Sequence, residues 1–146
     1  MMGEDKMGQS ILEEAKSFFD KAMELKDDRY GSKKVPILTT SQLRNFLNDV
    51  VNINNRVEIL RSKRIQAKDE SNELPQELQN SIEFLDVKLM YQVGRNNDKG
   101  ALRKFYEKGD MASRIKQAKK GITEYKRFAD LMEAVVALHK YHGGKD

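Results

Sequence analysis

TTSQLRNFLNDVVNINNRVEILRSKRIQA, running from Thr39 to Ala67, is the stretch on which the fold turns. Leu43, Phe46, Leu47, Val50, Val57 and Leu60, with Arg64 closing the pattern, recur at i, i+3, i+4 and i+7 spacing. That period predicts one long helix starting at Thr39 or Thr40 and burying a single stripe. Thr39 and Gln42 stand at capping-box spacing, which fixes the start.

Working outward from this helix gives more of the same. Lys68 to Leu74 is a polar break, and Pro75 sits as the first-turn proline of a third helix. That helix carries Leu78, Ile82, Leu85, Leu89 and Val93 on one face and ends at Gly94. Asn96 to Gly100 reads as a loop, followed by a short helix from Ala101 to Lys108. Gly109-Asp110 breaks it. A basic helical stretch from Met111 to Lys120 then leads past Gly121 into a final helix over Ile122 to His142. On the N-terminal side, Ser10 and Glu13 form a second capping-box pair for a first helix from Ser10 to Lys26. Residues 27–38, with Gly31 and Pro36, read as a polar linker, and residues 1–9 as a disordered N-terminus. The expectation is an all-α fold, a single-domain bundle of five to six helices over 1–146.

Composition narrows the function. The chain of 146 residues can bury a hydrophobic core without disulfides or metal. It contains no cysteine, which removes disulfides, thiolate zinc sites and cysteine nucleophiles together. No run approaches the roughly 18 apolar residues of a membrane span, and the first residues lack the apolar core of a signal peptide. The expected compartment is the cytoplasm.

The net charge of +4 is unevenly spread. Arg56 to Lys68 holds five basic residues and one acidic, and Lys99 to Arg127 holds ten basic and three acidic. The remainder of the chain is therefore net acidic. Two basic segments on such a chain suggest a surface that faces a polyanion, or else ordinary solvated helix faces.

Catalytic chemistry is hard to assemble. His139 and His142 are the only histidines, at i, i+3 on one helix, and a metal site would need further ligands. Neither has a glutamate three residues before it, since Val136 and His139 occupy those positions, so the di-metal bundle pattern fails. They read as a polar flank at a helix end, where positive charge suits the dipole. There is no phosphate-binding loop, no dinucleotide fingerprint and no nucleophile motif. The sequence predicts no enzyme, no cofactor and no metal.

The second helix has an unusual polar face. Arg44, Asn48, Asn52, Asn55 and Arg56 fall near one side, although asparagine is a poor helix former. Amides and arginines with few carboxylates suit hydrogen bonding to phosphates and sugars. Plain solvent exposure, or amides pairing across a helix interface, would explain the same pattern. Further on, Phe105 and Tyr106 lie among lysines and arginines, as in platforms that stack single-stranded RNA. Their spacing with Ala101 and Leu102 instead favours packing.

Three ordered blocks resemble the small helical subunit of type III-A (Csm) CRISPR effector complexes. They are Thr39-Thr40-Ser41-Gln42-Leu43-Arg44-Asn45-Phe46, then Lys88-Leu89-Met90-Tyr91-Gln92-Val93-Gly94-Arg95, then Phe128 with Met132 to Ala137 and Lys140-Tyr141-x-Gly143-Gly144-Lys145-Asp146. The resemblance spans the chain from Thr39 to its end. It implies a non-catalytic subunit present in several copies, lined up beside the subunits that grip the guide RNA. Its partners would be guide RNA, target RNA, other subunits and neighbouring copies of itself. Contact would run through the RNA backbone, with sequence specificity left to base pairing. Arg44, Arg95 and Lys140 match basic positions of the three blocks. Together with Arg56, Arg61, Lys63 and Arg64 they are the expected phosphate contacts, with Lys99, Arg103 and Lys104 behind them. A small subunit of a related RNA-guided complex, or a helical adaptor that binds only proteins, are the alternatives.

Overall fold

A computed structural model describes residues 9–95 and 100–145 of the chain. It is predominantly helical: α1 (Ile11–Ala22), α2 (Thr40–Gln66), α3 (Gln76–Arg95), α4 (Ala101–Lys108), α5 (Met111–Ala118) and α6 (Ile122–Tyr141). Both capping boxes form. Ser10 Oγ accepts from Glu13 N at 3.0 Å, and Thr39 Oγ1 accepts from Gln42 N at 3.1 Å. Each partner side chain returns the bond, so two otherwise orphaned amides are satisfied at each helix start.

The one departure in architecture lies between α1 and α2. Where a polar linker is expected, β1 (Leu25–Asp27) pairs antiparallel with β2 (Lys34–Pro36), Lys26 opposite Val35. Asp28 makes the turn: its Oδ1 accepts from Tyr30 N at 3.0 Å and Ser32 N at 2.9 Å, while Gly31 takes a left-handed φ of +68°. Val35, Pro36 and Leu38 are buried, so this segment contributes to the core. α1 consequently stops at Ala22, four residues before the expected Lys26. The expected disordered N-terminus lies mostly outside the described residues, but Gln9 is anchored, its carbonyl accepting from Arg127 at 3.0 Å.

α6 is the central helix, and α1, α2 and α5 all pack on it. Tyr125, Met132 and Val135 of α6 are buried with Phe18 of α1, Val50 and Val57 of α2, and Ile115 of α5. Tyr125 is fully enclosed, and its hydroxyl donates to the Val50 carbonyl at 2.7 Å, so burial leaves that polar atom satisfied. The start of α6 is capped from a distance. Asn72, in the α2–α3 connection, accepts from Thr123 N at 2.9 Å and donates to Glu124 at 2.8 Å.

The closing turn holds a second surprise. His139 is not a polar flank at a helix end: its side chain is fully buried, and Nε2–H donates to the Leu38 carbonyl at 2.6 Å. Burial lowers its pKa below the ordinary histidine value, favouring the neutral ring. The double glycine exists for this packing. Gly143 adopts φ +89°, ending the helix, and a Cβ on Gly144 would lie 2.0 Å from His139 Cε1. The chain then returns to the start of α2, where Thr40 N donates to Lys145 O at 2.6 Å. The C-terminal signature is therefore a latch between α6, the hairpin and α2. His142, by contrast, is exposed and stacks on Phe19 with ring centroids 4.7 Å apart.

Candidate nucleic-acid interface

α2 and α3 run antiparallel as a long helical hairpin. Arg56 meets Glu77 and Ser81 at 3.2 and 3.1 Å, and Asp49 meets Lys88 at 3.2 Å. Gln42 and Asn45 reach the level of Tyr91 and Gln92 at the far end. A helix advances 100° per residue, so Asn45, Asp49, Asn52 and Arg56 share the edge facing α3. Arg44 and Asn55 lie toward the opposite edge, with Asn48 between, and all three are exposed. Apart from Asn54, whose side-chain oxygen is buried, the asparagines of α2 line an outer face and a groove rather than a buried helix contact. Asparagine's low helix propensity is overridden here by packing of Leu43, Val50, Ile53 and Val57 on the other side.

The expected phosphate contacts sort into three groups. Arg44 and Lys63 are exposed and have no carboxylate partner among the described residues; they lie roughly 28 Å apart along α2. Arg95 is likewise exposed and sits over the Tyr91 ring at 5.8 Å. Because the hairpin is antiparallel, Arg95 lies at the same end as Arg44. Lys140, exposed in the last turn of α6, belongs to that end too, since the tail after it bonds to Thr40.

A second group is exposed but ion-paired. Arg56 pairs with Glu77, Arg61 with Glu58 at 3.6 Å, and Arg103 with Glu107 at 3.4 Å. Exposed pairs of this kind are weak, and their cations remain able to exchange partners. A third group is held by the fold. Arg64 Nη1 donates to the carbonyls of Ser71 and Glu73, pinning the α2–α3 connection, and only 18% of its side chain is exposed. Lys104 is tied to Glu24 of the α1–β1 connection at 2.9 Å. Lys99 lies outside the described residues.

Much of the basic segment from Lys99 to Arg127 is internal wiring. Glu14 on α1 is buried, and its two oxygens accept from Arg114 at 3.1 Å and Arg127 at 2.7 Å. Arg114 also donates to the Gly109 carbonyl at 2.7 Å and lies over the Phe18 ring at 5.1 Å. Lys119 reaches Glu83 of α3 and Lys126 reaches Glu58 of α2. These cations join helices that are remote in sequence. Phe105 is likewise a core residue, edge-on to Phe18 at 5.3 Å, and Tyr106 donates its hydroxyl to Asp86 at 2.5 Å. The rings of α4 thus pack, as their spacing predicts. The sequence did not signal the exposed rings of α3, Phe84 and Tyr91, because they share a helix with five regularly spaced core residues.

Among the described residues no cluster of histidine, aspartate and glutamate could hold a metal ion, and no helix is long and apolar enough to cross a membrane. Besides the exposed Lys108, Lys116 and Lys120 near α4 and α5, the surface carries one long helical hairpin with amides, arginines and lysines. Fold and surface together define a small helical bundle with a polar, cation-bearing helical hairpin.

The Csm2 type III-A family model matches residues 13–145. A Streptococcus thermophilus protein, CRISPR system Cms protein Csm2, is 34% identical over 110 residues, covering 75% of this chain and 77% of its own length. The chain belongs to the Csm2 family, the small subunits of type III-A CRISPR complexes. The family match takes in most of α1, both hairpins and the C-terminal latch, and the three sequence blocks up to Lys145.

Proposed function

We propose that this chain is a non-catalytic, cytoplasmic subunit that lies along the guide–target RNA duplex of its effector complex and contacts the RNA backbone without regard to sequence. Its partners in this reading are both RNA strands, the other subunits and neighbouring copies of itself. The observation that carries it is the α2–α3 hairpin. Arg44, Lys63 and Arg95 are exposed there without carboxylate partners among the described residues, beside amides that can bond to ribose and phosphate oxygens. Arg56, Arg61 and Arg103 add cations whose present ion pairs are weak enough to exchange for phosphate. Lys140 extends the Arg44 end, while Lys104 and Lys99 are secondary. Arg64 contributes by holding the α2–α3 turn.

The test is binding of two RNA duplexes of unrelated sequence over a range of salt. Equal affinities that fall together as salt rises are expected, since each neutralised phosphate releases counterions. A strong preference for one sequence, or affinity indifferent to salt, would contradict backbone recognition. In a protein-only adaptor, glutamate replacement of Arg44 and Arg61 would leave RNA affinity unchanged.

A further inference from the structure

Between α2 and α3 the outer surface is a continuous groove. One cavity of about 550 Å³ lies beside Asn45 and Tyr91, and a second of about 460 Å³ shares Asp49, Phe84 and Lys88 with it. On the α3 wall, Phe84, Lys88, Tyr91 and Arg95 follow one another at i, i+4, i+7 and i+11, a single stripe in which aromatic and cationic side chains alternate. Phe84 is 52% and Tyr91 63% exposed. Each ring has a cation near its face, Lys88 at 6.0 Å from the Phe84 centroid and Arg95 at 5.8 Å from that of Tyr91. The rings stand roughly 10 Å apart along the helix. The opposite wall, on α2, offers the amides of Asn45 and Asn52.

We propose that this groove binds unpaired RNA bases, stacked on Tyr91 and Phe84, with the α2 amides meeting base edges or ribose hydroxyls and Lys88 and Arg95 meeting the adjoining phosphates. The proposal rests on the RNA-contacting reading above and adds a second kind of contact to it. Two features, the matched acids and the amides opposite the rings, favour bases over an apolar protein helix as the occupant. The groove's acids are each matched by a cation, Asp49 by Lys88 and Glu77 by Arg56, so an incoming polyanion meets no net repulsion. Val87, also exposed, lies between the two rings on the same side of α3, so the aromatic faces stand on an apolar floor bordered by Lys88 and Arg95. Amides opposite aromatic faces supply the hydrogen bonds that bases need and an aliphatic face does not.

The experiment compares single-stranded and duplex RNA of equal length on wild type, Phe84→Leu, Tyr91→Leu and Tyr91→Phe. Leucine keeps apolar volume and removes the π face, and both sites are exposed enough for the variants to fold, which thermal melting checks. Each leucine variant is expected to lose about tenfold in single-strand affinity, with Tyr91→Phe and every duplex affinity within about twofold of wild type. A 2-aminopurine base in the single strand should be quenched by wild type and not by the double leucine variant. Leucine variants that bind single strands as wild type does overturn the proposal. If they instead alter self-association in sedimentation while RNA affinity stands, the face is a protein contact and the proposal falls. Charge reversal at Arg44 separates the two readings. Duplex affinity lost there with the leucine variants unchanged keeps the backbone reading and removes this one. The reverse pattern removes the backbone reading and keeps this one.

Discussion

Arg114 and Arg127 on one side of the molecule, and Arg44 and Arg95 on the other, carry the same guanidinium to opposite ends. The first pair closes on the buried Glu14 carboxylate and fastens α5 and α6 to α1. The second pair stands in solvent with no carboxylate within reach among the described residues. In the sequence the first pair lies in the more basic segment and looks the better candidate for a polyanion. The difference is decided by what the fold brings opposite, a buried acid in one case and no carboxylate among the described residues in the other. A run of positive charge therefore measures potential for ion pairing within the fold as much as attraction for an outside partner.

The largest effect should come from breaking the internal side. Glu14→Ala leaves two arginines facing each other at a mostly buried junction and should destabilise the protein by about 3 kcal/mol in urea unfolding, with RNA affinity of the folded protein unchanged. Unaltered stability, or a gain in RNA affinity, would mean that the clamp is not structural. Next in size is the latch. Gly144→Ala pushes a methyl group into the His139 ring and should cost about 1–3 kcal/mol, again without touching RNA binding. A melting temperature equal to wild type would show that the tail is not packed there.

A smaller, signed effect belongs to His139. Its folded pKa lies below the unfolded value, so the unfolded chain takes up a proton first as pH falls. Stability should be level above about pH 7.5 and decline as pH drops below about 6.5, the decline ending once the folded-state ring also titrates. His139→Gln should flatten that part of the profile. A profile of the variant that keeps the wild-type slope would assign the proton uptake elsewhere.

These tests also mark what was legible from residues alone. The helix sequence was, because each helix carries its stripe and two carry complete capping boxes at Ser10 and Thr39. The β-hairpin was not, since three-residue strands are too short for alternation to show, and its stability comes from burying Val35 and Pro36 against distant helices. His139 was misjudged because a terminal histidine near two glycines resembles a solvated helix end. Only the return of the tail to Thr40 puts it inside. Among the expected contacts, exposure of Arg44 and Lys63 follows from their place away from the α2 core stripe. The engagement of Arg64 and Lys104 depends on carbonyls and an acid that no local pattern places beside them.

We propose that the solvent-facing arginines, and not the internal ones, meet RNA. The direct measurement is duplex RNA affinity against salt for wild type and for Arg44→Glu with Arg95→Glu. The double variant should keep its stability within about 0.5 kcal/mol, bind at least tenfold more weakly at low salt, and show a log affinity against log salt slope shallower by about 2. Equal affinity and an unchanged slope would contradict it.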